Sequence, residues 1–295
     1  MHPIEQNINL FLEAVCEGKA SFTEEQVQEF GERCKQVLRK QFLEKPSTEK
    51  KFFLRMSSIG RPLRQLMLEK ASGGRGKPSK EFKLKATIGH IYEAFFLQLL
   101  KASGCKVDNH DGQVKLDVAG IEIPGTYDVK IAGKIYDIKT ASSYAYEYKF
   151  RSLDDLINGD SFGYLAQGFG YAMADKVPFG GYIAINKETG DFKVLSIPVE
   201  RHNELCNTYN KEITYKVKYI LSGKDMPPCD GIVNETFMGK ETGNRVLSRE
   251  CEWCNYKDTC HKNLQQLPEA FSKAKTRKLK YYIGEVKKPN ETKTN

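Results

Sequence analysis

The clearest amphipathic stretch of the chain runs from Phe82 to Gly104. Its apolar residues recur every three or four positions, at Ile88, Tyr92, Phe96 and Leu99, which is the period of a helix with one buried face. Gly104 is the type of residue that commonly follows the last turn of a helix. The same period predicts helices over residues 5–45 (with a break and cap at residues 21–23), 160–174 and 199–221.

Short apolar runs between these helices predict strands. The strongest signal is residues 125–140, GTYDVKIAGKIYDIKT, and weaker runs lie near 105–108, 113–118, 180–186 and 191–198. The order helix, hairpin, helix, strands, helix predicts an α/β fold with a mixed central sheet flanked by helices. We expect four segments: an N-terminal helical region with a basic loop (1–80), the core (81–225), a cysteine-cluster segment (226–265) and a basic tail (266–295).

The 125–140 stretch predicts a hairpin with a two-residue turn at Ala132-Gly133. In this register Asp128 lies directly opposite Asp137, and Lys139 follows on the same face two residues later. The other face is apolar and predicts core, with Tyr127, Val129, Ile131, Tyr136 and Ile138. A slip of one residue would instead place the two aspartates on opposite faces.

Facing carboxylates repel each other across a sheet, so their pairing needs a reason. A divalent cation between them is one, because hard oxygen ligands suit Mg²⁺ or Mn²⁺. A neighbouring lysine could orient a water molecule or offset a developing negative charge. Together these groups indicate a site for phosphodiester hydrolysis. The alternative is a ladder of Asp and Lys side chains on a solvated surface.

A second signal is the spacing C-x2-C-x5-C at Cys251, Cys254 and Cys260. Thiols this close together in a reducing compartment usually hold a metal. Cys229 is the nearest candidate for a fourth ligand, and His261 could serve in a zinc site. Four thiolates suit either a 4Fe–4S cluster or Zn²⁺, and the spacing does not choose between them. The alternative is that no metal binds.

Composition adds a preference for one class of partner. The 295 residues carry a net charge of +8, which favours a polyanion such as nucleic acid. No apolar run approaches the roughly 18 residues of a membrane span, and the first residues lack the features of a signal peptide. We therefore expect a soluble, cytoplasmic protein.

Five motifs occur in the order that is typical of one enzyme family. They are Gly89-His-Ile-Tyr-Glu93, Gly125-Thr-Tyr-Asp128, Asp137-Ile-Lys139, Gln167-Gly-Phe-Gly-Tyr171 and the clustered cysteines. Over about residues 57–264 the chain resembles the PD-(D/E)XK nucleases, and most of all the RecB-like and phage exonucleases with a C-terminal iron–sulfur cluster. The resemblance implies a restriction-endonuclease-like core and an exonuclease acting on DNA, located in the host cytoplasm if it is phage-encoded.

The resemblance also implies a role for individual residues. Glu93, Asp128 and Asp137 would bind Mg²⁺ or Mn²⁺ together with the carbonyl of Ile138, and Lys139 would be the catalytic lysine. Gln167 and Tyr171 would orient the site. Cys251, Cys254 and Cys260 would bind a 4Fe–4S cluster with a fourth cysteine, either Cys229 or Cys34. DNA backbone contacts are expected from Arg61, Arg64, Lys77 and Lys80.

Two departures from the family pattern stand out. Tyr127 replaces the proline before the first aspartate, and position 93 carries Glu where RecB-type members have His. The implied partners are DNA, bound without sequence preference, and a recombination or annealing protein. The rival functions are a non-catalytic DNA-binding or adaptor protein of the same fold, and a CRISPR-adaptation-type nuclease.

Overall fold

The computed structural model describes residues 1–44, 52–74, 79–229 and 231–288. The chain folds into two compact units. The first unit contains residues 1–60 and 77–222, and the second contains residues 61–76 and 223–295. Residues 61–74 therefore group with the C-terminal part of the chain and not with the N-terminal helical region in which they were expected.

The first unit is built on a mixed sheet that has five strands among the described residues. Their order across the sheet is the same as their order along the chain. The strands are β1 (Val107–Val118), β2 (Ile121–Ile131), β3 (Lys134–Ala141), β4 (Phe179–Asn186) and β5 (Phe192–Ser196). Strands β3 and β4 are parallel, and the other neighbouring strands are antiparallel. This architecture confirms the predicted α/β fold with a mixed central sheet.

The helices of the first unit cover both faces of this sheet. They are α1 (Pro3–Cys16), α2 (Glu24–Leu38), α3 (Met56–Ile59), α5 (Lys80–Ala102), α6 (Leu153–Asn158), α7 (Tyr164–Asp175) and α8 (Val199–Leu221), with π-helical turns at Arg39–Leu43 and Ala145–Lys149. None of the helices in the described ranges is long and apolar enough to cross a bilayer.

Helices α1 and α5 bury one face of the sheet. Ile8 and Leu100 are fully buried in one cluster with Val129, Ile138 and Ile183. Helix α7 packs on the other face, where Lys130 Nζ contacts Asp175 Oδ2 at 2.9 Å. Every residue of β4 is consequently buried, as expected for a strand covered on both sides.

The central hairpin has the predicted register. Ile131 lies opposite Lys134, and Val129 lies opposite Tyr136. The turn residues Ala132 and Gly133 both have positive φ, 46° and 75°, which is the conformation of a type I′ turn. Such turns match the twist of the flanking strands, so the short connection fixes the pairing even though its first residue is alanine.

The second unit contains an antiparallel sheet with the order β6–β7–β9–β8. Its elements are α4 (Leu63–Ala71), β6 (Ile232–Phe237), β7 (Lys240–Leu247), α9 (Arg249–Glu252), α10 (Lys257–Cys260), β8 (Leu264–Pro268) and β9 (Leu279–Ile283). The basic tail expected at residues 266–295 contains β9, which is an inner strand of this sheet. Tyr282 of β9 is buried and donates a hydrogen bond of 2.9 Å to Glu235.

Candidate active site and thiol cluster

The Asp and Lys side chains of the central hairpin lie in the protein interior. The Asp137 side chain is 2% exposed and forms an ion pair with Lys139, whose side chain is 19% exposed. The second oxygen of Asp137, Oδ1, has no hydrogen-bond partner among the described residues. This burial excludes the alternative of a solvated surface ladder, because a solvated carboxylate would have both oxygens in water.

Asp128 is bound by the backbone of the next strand. The amide N–H of Ile138 donates to Asp128 Oδ2 at 2.7 Å, just beyond the last backbone pair of the hairpin ladder. On the other side of β3, Asp137 is paired in register with Tyr182 of β4. Both aspartates thus lie just beyond the paired part of the hairpin, where β3 continues beside β4.

The surroundings of the hairpin raise the pKa of both aspartates and of the lysine. Burial raises the pKa of Asp128 well above its usual value, and the negative charges of Asp137 and Glu93 raise it further. Burial also raises the pKa of Asp137, and this outweighs the attraction of Lys139. Burial opposes the charge of Lys139, but the two aspartates raise its pKa overall. Excess negative charge of this kind is what a divalent cation would neutralise.

Glu93 reaches the same region from helix α5. His90 Nδ1 contacts Glu93 Oε2 at 2.9 Å, and this hydrogen bond raises the pKa of His90. Glu93 and His90 line a cleft of about 220 Å³ together with Asp128 and Ile138. The structure therefore brings the predicted residues Glu93, Asp128 and Ile138 to one cleft, with Asp137 buried beside them.

Gln167 and Tyr171 lie one turn apart on α7, and Gln167 Nε2 donates to Tyr171 Oη at 2.8 Å. Burial raises the pKa of the Tyr171 phenol, and the charge of Asp137 raises it further, which places this ring within electrostatic range of the aspartates. Gly125 permits the approach, since a Cβ there would lie 2.6 Å from the Tyr171 ring. The glycine in β2 thus leaves room for the ring of Tyr171.

The carboxylate oxygens of the three acids are the type of ligand that a hard divalent cation prefers. Asp137 Oδ1 is a buried oxygen without a partner in the described chain, and Asp128 and Glu93 add charge of the right sign. The oxygens of the three acids are not all within 4.8 Å of one another. In this arrangement the ammonium group of Lys139 contacts Asp137.

The second unit gathers the predicted cysteines. Ligand atoms of Cys229, Cys251 and His261 lie within 4.8 Å of one another, the one such group of three among the described residues. Burial raises the pKa of the Cys251 thiol to about 11, and the charges of Cys229 and Cys254 contribute. Burial also raises the pKa of Cys254, and the charges of Cys260 and Cys229 contribute. All four predicted thiols are therefore close enough to interact electrically.

Hydrogen-bond donors and a glycine surround these thiols. Arg64 Nε donates to Cys260 Sγ at 3.3 Å, and the backbone N–H of Tyr256 donates to Cys254 Sγ at 3.4 Å. A Cβ at Gly231 would overlap Cys251 Sγ, so a larger residue there would displace the thiol from this position. Cys34, the alternative fourth ligand, lies in α2 of the first unit.

The residues predicted to contact DNA have different surroundings. Besides Cys260, Arg64 contacts the carbonyl of Pro227, and Arg61 lies 3.9 Å from Glu69. Lys80 begins α5 and is exposed, whereas Lys77 lies outside the described residues. Both arginines thus have partners within the protein, which is the structural role expected of buried or half-buried arginines.

Sequence reasoning missed the N-terminal wall of the cleft. Lys40 and Gln41 of the first π-helical turn line it, with Gln36 from α2. Exposed polar residues at the end of an amphipathic helix carry no distinguishing pattern. A π-helical turn is the one local feature that marks such a position, and it is visible only in the structure.

Comparison with known proteins adds little to this picture. No family model matches the chain, and a search of curated proteins finds no match. The solved structure of a protein called SSO0001 is similar at 16% identity, over 78% of this chain and 95% of that one, with a TM-score of 0.43. A likeness this remote carries no argument about function.

Proposed function

We propose that the protein is a Mg²⁺- or Mn²⁺-dependent DNA nuclease, and specifically an exonuclease, acting in DNA recombination, repair or degradation. One observation carries the proposal: a buried aspartate, Asp137, has an unpartnered oxygen and lies beside a lysine at the end of a hairpin. Two more acids, Asp128 and Glu93, act on it electrostatically. Isolated buried carboxylates are costly, so such a group favours a functional explanation.

Each side chain would have a distinct task in phosphodiester hydrolysis. Glu93, Asp128 and Asp137 would hold the cation, which when bound supplies charge for the phosphate and a more acidic water. Lys139 remains protonated, since its pKa is raised, and it would orient the attacking water and offset negative charge. Tyr171, held by Gln167, would keep the position of the aspartates fixed.

The test is digestion of end-labelled linear DNA, single- and double-stranded, with Mg²⁺ and with EDTA. We compare the wild type with Asp137→Ala and Lys139→Ala. A matched control is Lys130→Ala, a lysine of the same hairpin that contacts Asp175 instead. We expect Mg²⁺-dependent loss of label in the wild type and the control only. Equal digestion by all four proteins contradicts the assignment, and DNA binding without cleavage favours the adaptor function. Competition with RNA tests the substrate.

We also propose that Cys229, Cys251, Cys254 and Cys260 hold a metal centre, either a 4Fe–4S cluster or zinc. The convergence of Cys229, Cys251 and His261 supports it. Four thiolates favour iron–sulfur, whereas replacement of one thiolate by His261 favours zinc. Metal analysis and the visible spectrum separate the two, since only the cluster is coloured. Cys229→Ala should lose the metal, and Cys206→Ala, in α8, should keep it. A metal-free wild type would overturn this proposal.

A further inference from the structure

The carboxyl ends of the parallel strands β3 and β4 carry exposed aromatic side chains. Strand β3 ends at Ala141 and leads into the second π-helical turn. Tyr144 and Tyr148, one helical turn apart there, are 58% and 57% exposed, and their ring centroids are 4.8 Å apart. Exposure of large aromatic rings to water is unfavourable in free energy, and it is relieved when a ligand covers them. This exposed pair therefore indicates a binding surface.

The N-terminal half of α5 lies at the same edge of the sheet. A Cβ on Gly89 would be 3.7 Å from Thr140 Oγ1, and Tyr92 Oη donates to the carbonyl of Lys187, which follows β4, at 3.4 Å. Ile88, which the helical period assigned to the core, is 47% exposed. The apolar stripe of α5 therefore extends past the core towards this edge.

The first π-helical turn adds a third ring and positive charge. Phe42 is 52% exposed, and Lys83 Nζ of α5 lies 5.1 Å from its ring centroid. Lys40, two residues earlier and exposed, lines the cleft that contains Glu93 and Asp128. One ammonium group thus lines the candidate active-site cleft, and a ring that contacts a second ammonium group lies two residues further along the same turn.

We propose that this edge binds single-stranded DNA and delivers it to the carboxylate cleft. Bases would stack on Phe42, Tyr144 and Tyr148, and phosphates would contact Lys40 and Lys83. Proteins that hold single strands combine aromatic platforms with positive charge in this way. The faces of the bases are available in a single strand, whereas in a duplex they are covered by neighbouring base pairs. The inference rests on the proposed function, because it names the form of DNA that the same site accepts.

The experiment measures binding without hydrolysis. All variants are made in the full chain carrying Asp137→Asn, and fluorescence anisotropy follows a labelled dT oligonucleotide and a duplex of equal length in EDTA. The test variants are Phe42→Ala and Tyr148→Ala. The matched control is Tyr215→Ala, since Tyr215 is 60% exposed and also pairs with a tyrosine one helical turn away, Tyr219, at 6.0 Å. Circular dichroism confirms that each variant is folded.

We expect the single strand to bind at least tenfold more tightly than the duplex. Each test variant should weaken single-strand binding by about fivefold to 150-fold, the range for loss of one stacking ring, and Tyr215→Ala should not change it. Lys40→Ala should make single-strand binding less dependent on salt, by about 0.7 in the slope of log K against log salt. Equal binding of duplex and single strand, or folded ring variants that bind like the parent, would overturn the inference.

The outcome is separable from that of the proposed function. If the wild type cleaves DNA and the ring variants bind DNA like the parent, the proposed nuclease function stands and the proposed binding surface is rejected. If the wild type does not cleave DNA but its binding depends on the rings, the proposed binding surface stands and the proposed nuclease function is rejected. Sedimentation of the same variants reveals the competing occupant, a second copy of the chain. If the parent is a dimer and Tyr148→Ala is monomeric, the rings form a subunit interface and the inference fails.

Discussion

Replacing Lys139 by methionine tests whether the hairpin ion pair is truly buried. Methionine keeps the unbranched stem and removes the charge, which leaves the Asp137 carboxylate, 2% exposed, without its partner. Removing one member of a buried pair costs about 3–5 kcal/mol. Because the Lys139 side chain is 19% exposed, we expect the lower end of that range. For a protein unit of this size, about 3 kcal/mol lowers the melting temperature by about 6–12 °C.

The assay is urea and thermal unfolding followed by circular dichroism, as a double-mutant cycle. Asp137→Asn with Lys139→Met should recover much of the loss, because no buried charge is then left unpaired. In the single variant the pKa of Asp137 is raised further by the loss of the ammonium group. The native state then holds a proton that the unfolded state releases, so stability falls as pH rises and the deficit shrinks towards acid pH. A loss below about 1 kcal/mol, typical of an exposed pair, would refute the reasoning.

Three further variants probe other parts of the chain. Gly231→Ala should abolish metal retention in the purified protein, measured by metal analysis, because its Cβ would overlap Cys251 Sγ. Metal retained by this variant would contradict the proposed role of Cys251 as a ligand. Ala132→Gly should raise the free energy of unfolding in urea by about 0.5–1 kcal/mol, since alanine is strained at φ 46°; a loss of stability would contradict this. The hydrogen bond to Glu93 raises the pKa of His90, so His90 stabilises the fold below about pH 6.5 and this contribution is lost as pH rises through the higher folded value. His90→Ala should therefore lower the melting temperature at pH 6 and leave it unchanged at pH 8.5; an equal loss at both would show that the pairing does not matter.

The sequence was most informative where the pattern is local. The register of the 125–140 hairpin follows from its two-residue turn, and the structure confirms Ile131 opposite Lys134. Helix α8 has the predicted bounds, because a long 3.6-residue period is unambiguous. The proximity of Gln167 and Tyr171 likewise needed only helical geometry.

The place of β9 in the second sheet could not be predicted because its pairing with β7 is not local. Strand β9 pairs with β7 and β8, and its sequence, LKYYI, is too short and too close to charged residues to identify alone. The cation of Lys280 is neutralised by Glu269 at 2.6 Å and by Glu235 at 3.1 Å, and Glu235 lies 45 residues away in the sequence. The exposure of Ile88 and Phe42 was also hidden, since an apolar residue in a helical period has the same signature whether it faces core or ligand.

The second unit draws its residues from two separated stretches, and this has a consequence for how the protein is made. A ribosome synthesises Arg64 196 residues before Cys260, yet the two side chains meet in the finished unit. Domains generally fold in the order of their translation. The sheet that carries Asp137 can therefore form while the cysteines from residue 229 onward are still untranslated. Helix α4 is therefore made long before the strands with which it groups, and it stays without them until those strands have been translated.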